Sequence, residues 1–173
     1  TRRATSWTSS PTEAAPPGVR ASMTDEHPYS VTTAREAADR GDLATWVAHF
    51  LASPGSDNAA LAEILAERPD NWTGPVQIPL DRLNRLAGPP GAPVLEEVEE
   101  HEWRDDVEDL KERVEEGWEP PPLIVTCRDG SLLVEDGNHR IEGMRRAGVD
   151  EAWSIVNFED PAERDRFEAA DRD

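Results

Sequence analysis

The chain has little that would hold it together covalently or place it in a membrane. Its 173 residues contain one cysteine, Cys127, so an internal disulfide framework is excluded and a reducing compartment is favoured. No stretch approaches the ~20 apolar residues that a transmembrane helix needs, and none has the character of a signal peptide. We therefore expect a cytoplasmic protein that has no membrane partner.

Positive charge is also scarce. The chain has 18 Lys and Arg residues against 37 Asp and Glu residues, which gives a formal net charge of −19. A chain of this charge repels DNA and RNA unless its cations are concentrated on one face. We expect no nucleic-acid partner, and a chain of this length usually forms one compact domain.

Composition divides the chain into three segments. Residues 1–22 are rich in Ser, Thr, Pro and Ala without regular periodicity, which predicts a flexible tail. Residues 23–75 have the apolar spacing of helices, either one long helix or two broken near Gly41 and then one capped by Asn58; we expect them to form an extension packed on the core. Residues 76–173 form the main domain.

The main domain mixes the two kinds of regular structure. A helix with an apolar stripe is predicted to open at Leu95 and end near Gly117, and the Asp129-Gly130 pair is typical of a hairpin turn. The other predicted elements are strands at 76–80, 123–127, 132–135 and 153–158 and a terminal helix at 162–170. The sum is an α+β domain, a small mixed sheet surrounded by helices.

The most informative motif is the run from Asp136 to Arg140, Asp-Gly-Asn-His-Arg. It joins a predicted strand to a predicted helix through Gly137, which permits the tight turn and the close approach of an anion to the backbone. A helix that begins there directs its first N–H groups and its positive end outward, which favours phosphate binding. The arginines at 140, 145 and 146 add positive charge to an acidic chain.

A purely structural interpretation of the same motif stays open. Asp136 and Asn138 would then only shape and cap the helix, and the arginines would point into solvent. His139 would turn inward to a backbone carbonyl. The other histidines, at 27, 49 and 101, show no metal-ligand spacing, so a zinc site is not supported.

The order of elements and the Asp-Gly-Asn-His-Arg motif resemble the ParB-like/sulfiredoxin-like superfamily over roughly residues 76–158. The resemblance implies that the turn at 137–140 binds nucleotide phosphates. Sulfiredoxins carry a nucleophilic cysteine where this chain has Asn138, so sulfinic acid reduction is not expected. The motif is most similar to Asp-Gly-His-His-Arg of the archaeal free-serine kinases, from which it differs at one position.

The resemblance to the serine kinases also implies a catalytic glutamate at the start of the acidic helix. An ungapped count back from the Pro122-Leu123 junction places Glu100 at that position, and matching a His-Glu dipeptide places Glu102 there instead. In this scheme Glu100 accepts a proton from a substrate hydroxyl, and Asp136 binds Mg²⁺. Gly137, Asn138, His139 and Arg140 hold the nucleotide, and His139 also donates to the transferring phosphoryl group.

The function expected from these observations is nucleotide-dependent phosphotransfer to a small hydroxylated acceptor, or nucleotide hydrolysis, with ATP, ADP or another nucleotide and Mg²⁺ as cofactors. The first alternative is a nucleotide-sensing binding module without catalysis. The second is a ParB-like nuclease, against which the acidic charge argues. The acceptor, the base of the nucleotide and the oligomeric state are not specified by the sequence.

Overall fold

The computed structural model describes residues 28–54, 56, 58–68, 70–88, 96–97 and 99–170. The predicted tail at 1–22 and most of the proline-rich segment near 88–93 lie outside these residues. No helix in the described part of the chain is long and apolar enough to cross a membrane.

Six α-helices and seven strands lie within the described residues. The helices are α1 (Val31–Asp39), α2 (Leu43–Leu51), α3 (Ala59–Leu65), α4 (Glu100–Glu115), α5 (Asn138–Arg146) and α6 (Pro161–Ala170). The strands are β1 (Trp72–Pro79), β2 (Leu83–Arg85), β3 (Ala87–Gly88), β4 (Glu96–Glu97), β5 (Leu123–Arg128), β6 (Ser131–Asp136) and β7 (Glu151–Phe158).

Five strands form one mixed sheet in the order β1-β7-β5-β6-β2. The pairs β1 with β7 and β5 with β6 are antiparallel, whereas β5 with β7 and β2 with β6 are parallel. The short strands β3 and β4 pair in parallel as a separate two-stranded sheet. The predicted α+β class with a small mixed sheet is confirmed.

The sheet is curled because its two edge strands are close in sequence. Only residues 80–82, a 3₁₀ turn, separate β1 from β2, although the two strands lie at opposite edges. A link of that length spans at most about 14 Å between the strand ends. The edges of a flat five-stranded sheet would lie about 19 Å apart. The edges must therefore bend toward each other.

Two hydrophobic layers cover the two faces of the sheet. In β5, Leu123 and Val125 belong to one layer and Ile124 belongs to the other, as the alternation of side chains along a strand requires. Helix α5 closes the first layer with Ile141, and α1, α2 and α3 close the second. The N-terminal helices thus pack directly on the sheet, and each fully buried Leu or Ile contributes about 1.5–3 kcal/mol to folding.

Two element boundaries differ from the predictions. Strand β1 begins at Trp72 rather than Val76, because the chain at Gly74-Pro75 forms an irregularity within a strand that still pairs with β7 on both sides. Helix α4 begins at Glu100 rather than Leu95, because Glu96–Glu97 are extended and pair with β3. At Gly41 the chain forms two helices, one of the two alternatives left open by the sequence.

Helix α4 packs closely against α5 at Gly143. A Cβ atom at position 143 would lie 2.9 Å from the Leu110 Cβ atom, which is closer than side chains pack in proteins. Glycine at this position therefore sets the spacing of the two helices that carry most of the site described next.

Candidate functional site

The turn between β6 and α5 is built on Gly137. Its φ of +105° is one that residues with a side chain avoid, and a Cβ atom there would clash with Leu123. The Ile141 N–H donates to the Gly137 carbonyl at 2.9 Å and starts the helix. The N–H groups of Asn138, His139 and Arg140 therefore precede the first N–H donor of the intrahelical ladder and lie at the positive end of α5.

A cleft of about 790 Å³ opens over this turn. Helix α4 contributes one wall through Asp106, Asp109 and Arg113, and the N-terminal helical layer contributes another through Tyr29 and Phe50. The motif residues 136–140 all line it. The cleft thus brings together three segments that are far apart in the sequence.

Asp136, the last residue of β6, is bound from both sides. Its Oδ1 accepts a hydrogen bond from the Ser56 hydroxyl at 2.8 Å, and its Oδ2 accepts one from Arg140 Nη2 at 2.6 Å. The side chains of Asp136 and Arg140 are 11% and 12% exposed. This carboxylate therefore joins the N-terminal layer to the turn.

Arg140 extends the same network toward the segment after α4. Its Nη1 donates to the carbonyl oxygens of Pro121 at 2.7 Å and Pro122 at 3.2 Å, and its guanidinium lies 5.5 Å from the Phe50 ring centroid. Burial lowers the pKa of the Arg140 guanidinium from its ordinary value, and the adjacent Asp136 carboxylate opposes that shift. Arginine stays charged under both influences. The role of Arg140 in nucleotide binding stays a prediction.

Asn138 uses its amide group inside the fold. Its Oδ1 accepts from the N–H groups of Leu86 at 2.8 Å and Ala87 at 3.2 Å, and its Nδ2 donates to the Val134 carbonyl at 3.1 Å. These bonds tie the chain between β2 and β3 to the start of α5. The predicted hydrogen bond from Asn138 to a phosphate would compete with this buried arrangement.

His139 faces α4. Its Nε2 lies 3.7 Å from Asp106 Oδ2, and its ring lies 4.4 Å, centroid to centroid, from that of Trp103. The His139 side chain is 36% exposed, but its Nε2 atom, which lies toward Asp106, is buried. The side chains of Asp106 and His139 are therefore neighbours beside the N-terminus of α5.

The structure does not bring Glu100 or Glu102 into the cleft. Glu100 is the first residue of α4, both side chains are exposed, and the described residues of α4 that line the cleft begin at Asp106. Six residues along a helix correspond to about 9 Å, so Asp106 is displaced from Glu100 by nearly two turns. The carboxylates of this helix that line the cleft are Asp106, which lies 3.7 Å from His139, and Asp109.

The other two arginines of the motif region each donate to protein acceptors, although both residues are exposed. Arg145 Nη2 donates to the carbonyl oxygens of Leu80 at 2.8 Å and Leu83 at 3.2 Å. Arg146 Nε donates to Glu142 at 3.3 Å. Part of the positive charge of the segment 137–148 is therefore engaged by carbonyl and carboxylate oxygens of the protein.

The predicted Mg²⁺ position at Asp136 does not fit the structure. Both carboxylate oxygens of Asp136 accept bonds from protein donors, and one donor is a cation that already neutralises its charge. Within the described part of the chain, no group of three or more His, Cys, Asp and Glu side chains is arranged to hold a metal ion. Asp106 and Asp109 are the exposed carboxylates that line the cleft from α4.

Five residues of the cleft and its network have no part in the predictions from the sequence: Asp106, Asp109, Arg113, Trp118 and Ser56. The first three follow one another at spacings of three and four residues, which places them on one face of α4. That spacing was available as a signal within the acidic helix. The Ser56 bond to Asp136 spans 80 residues and leaves no local pattern.

No protein-family model matches the chain, and no curated protein matches it. Solved structures similar to it include the chromosome-partitioning protein ParB from Caulobacter crescentus complexed to the centromeric parS site, at 23% identity and a TM-score of 0.36 over 50% of this chain and 42% of that chain. Sulfiredoxin from Arabidopsis thaliana matches at 19% identity and a TM-score of 0.36 over 53% of this chain and 92% of that chain.

The Caulobacter ParB complexed with CTP-gamma-S also matches, at 22% identity and a TM-score of 0.36 over 53% of this chain and 48% of that chain. Each match thus covers about half of this chain, and the ParB matches cover less than half of their own chains. These are the two kinds of protein that the sequence resemblance named. The relation to the serine kinases stays a prediction.

Proposed function

We propose that the chain binds a nucleotide in the cleft over Gly137, with the phosphates at the N-terminus of α5. The observation that carries this proposal is that the motif residues 136–140 line the cleft and α5 begins there. The N–H groups of the first helical turn and the helix dipole both favour an anion at that point. A cleft of about 790 Å³ has the size of small-molecule sites in proteins.

For the activity, we propose transfer of the terminal phosphoryl group to a small hydroxylated molecule. The acceptor oxygen forms a bond to phosphorus, the bond from phosphorus to the bridging oxygen breaks, and the shortened nucleotide leaves with that electron pair. Asp106 takes the hydroxyl proton, because it is a carboxylate of α4 that lines the cleft and lies 3.7 Å from His139 at the turn. His139 orients that carboxylate.

Mg²⁺ would bind together with the nucleotide and neutralise part of the charge on its phosphate oxygens. Magnesium in nucleotide sites is held by one or two protein carboxylates plus the phosphates, so a preformed cluster of protein ligands is not required. Asp109 is the residue that would hold it, because it lines the cleft on the same face of α4 as Asp106.

The decisive variant is Asp106→Asn. It keeps the shape of the side chain and removes the proton acceptor, so turnover should fall about 10²- to 10⁴-fold, whereas nucleotide affinity should change little. Phosphoryl transfer is followed by phosphorus NMR with a panel of hydroxylated acceptors, and affinity by calorimetry. Asp105→Asn is the matched control, because Asp105 is exposed and pairs with His101 at 3.4 Å, outside the cleft.

Two outcomes would contradict the phosphotransferase. One is equal loss of turnover in the Asp105 and Asp106 variants, which would indicate a general effect of charge. The other is a parent protein that binds nucleotide but neither transfers its phosphoryl group to any acceptor in the panel nor hydrolyses it. Failure of the parent to bind any nucleotide would contradict the whole proposal.

A second candidate function, a nucleotide-sensing module, is favoured by the Ser56 bond to Asp136. That bond connects the N-terminal helical layer directly to the turn. A nucleotide in the cleft would therefore change the contacts of the N-terminal helices, whose outer surface a partner protein would bind. For a sensor, nucleotide should slow amide hydrogen exchange in α2, and the parent should show no turnover. For the phosphotransferase, turnover is required.

A further inference from the structure

We infer that Arg113 and Trp118 form a platform on which the base of the nucleotide stacks. This inference rests on the proposed nucleotide site and names the part of the ligand that the far end of the cleft recognises. Both residues line the cleft. Arg113 is exposed and Trp118 is partly exposed, so both remain accessible.

The C-terminus of α4 builds the platform. Gly117, with a φ of +96°, reverses the chain after the helix, and the Trp118 N–H donates to the Arg113 carbonyl at 2.9 Å. This bond brings the indole ring under the Arg113 side chain, whose guanidinium carbon lies 3.8 Å from the ring centroid. The helix end therefore presents a flat, stacked pair to the cleft.

The platform lies at a suitable distance from the proposed phosphate position. Asp106, which is beside the turn, and Arg113 are seven residues apart, which is about 10.5 Å along α4. An extended nucleotide separates its base from its outer phosphates by a comparable length. Residues on one face of α4 would thus contact the nucleotide along its length, from the phosphates to the base.

Stacking is the chemistry that this pair offers. Nucleobases stack on aromatic rings and on guanidinium planes, and every base has a π-face. A base placed against the Arg113 and Trp118 pair would extend an existing cation-π stack. The platform therefore detects that a base is present rather than which base it is.

The test compares two ligands, ATP and inorganic tripolyphosphate, which has the phosphates without base or sugar. By calorimetry, Trp118→Ala should bind ATP about tenfold to a hundredfold more weakly than the parent, the effect of losing one stacked base. Its affinity for tripolyphosphate should stay unchanged. Arg113→Ala, a substitution at an exposed position, should weaken ATP binding severalfold with the same selectivity.

Trp153→Ala is the matched control. Trp153 is also partly exposed and carries an arginine, Arg35, 4.3 Å from its ring centroid, but it does not line the cleft. This variant should bind both ligands like the parent. Equal losses in the Trp118 and Trp153 variants would overturn the platform.

The outcomes separate the platform from the nucleotide site itself. If the parent binds ATP and the Trp118 variant binds it equally well, the platform is wrong and the proposed function stands. If Trp118→Ala weakens both ligands equally, Trp118 shapes the cleft and stacks no base, which also overturns the platform. If the parent binds neither ligand, the proposed function fails and the inference fails with it.

Discussion

Two ion pairs in this protein have nearly the same length and very different surroundings. Arg140 lies 2.6 Å from Asp136 and Arg128 lies 2.7 Å from Glu159. The first pair has side chains 12% and 11% exposed, whereas the second has side chains 48% and 31% exposed. The distance between the charged atoms therefore says little about what a salt bridge contributes to the free energy of unfolding. Water competes with the exposed pair and is largely excluded from the buried one.

The buried pair is tolerated because each charge has further partners. Asp136 accepts from Ser56, and Arg140 donates to two proline carbonyls. A buried pair of this kind adds little net stability, but loss of one partner leaves the other charge without compensation. Its effect is to hold the turn at Gly137, the proposed position of the phosphates, in a single geometry.

The largest expected effect is that of Arg140→Ala. Because Asp136 would keep a buried charge, the free energy of unfolding should fall by about 3–5 kcal/mol. Urea denaturation measures this directly. A loss below about 1 kcal/mol would mean that the two pairs do not differ as their surroundings suggest.

The next largest effect is expected at Asn138. Asn138→Ala leaves the N–H groups of Leu86 and Ala87 without their acceptor and should cost about 1–3 kcal/mol in unfolding free energy. Asn84→Ala is the control, since Asn84 is exposed and makes one bond to the Leu132 carbonyl. Equal costs in the two variants would show that the Asn138 amide does not fix the turn.

A smaller effect is expected when the exposed pair is removed. Arg128→Ala should lower the unfolding free energy by about 0.2–1 kcal/mol, and added salt should reduce the difference. A hydrogen bond from Arg128 lowers the pKa of Glu159, with some opposition from burial. The stabilisation is therefore present above the ordinary pKa of glutamate and is lost as the pH falls through the lowered value.

Acid titration of stability checks that sign. The parent should lose more stability than Arg128→Ala as the pH falls through this range. The difference is reduced but not abolished by Arg68, which lies 3.2 Å from the same carboxylate. A variant that loses more stability than the parent on acidification would contradict the assignment.

The smallest expected effect is on DNA. Since Arg140, Arg145 and Arg146 are bonded to protein groups and the chain has a net charge of −19, duplex binding at physiological salt should be weaker than the usual ~10⁻⁴–10⁻⁶ M of non-specific binders. A gel shift at micromolar protein measures this. Retention of the duplex would revive a nucleic-acid function.

Local chemistry made much of the fold predictable. The Asp129-Gly130 pair has φ values of +50° and +75°, the geometry that a tight hairpin turn needs, and it joins β5 and β6 as expected. Gly137 likewise marked the start of α5 from its sequence context. In both places the backbone conformation depends on residues next to one another.

The site residues that the sequence did not predict depend on how separate elements are placed in space, which the spacing of residues along the chain does not give. A periodic pattern identifies which face of α4 is buried, but not how far the helix has shifted along its axis past α5. Glu102 and Asp106 are four residues apart and share a face of α4. The spacing therefore cannot show which of the two lies beside the turn at Gly137. Arg145 bonds to carbonyl oxygens 62 and 65 residues away, and a backbone acceptor has no sequence signature.

The two edge strands of the sheet limit how molecules of this protein can associate with one another. Exposed strand edges invite pairing with another chain and thereby aggregation. Here one edge strand, β2, is three residues long, and the other, β1, contains Pro75 and Pro79, which have no N–H to donate. Even at an acidic pH that neutralises the carboxylates, these two edges offer a second molecule little backbone with which to extend the sheet.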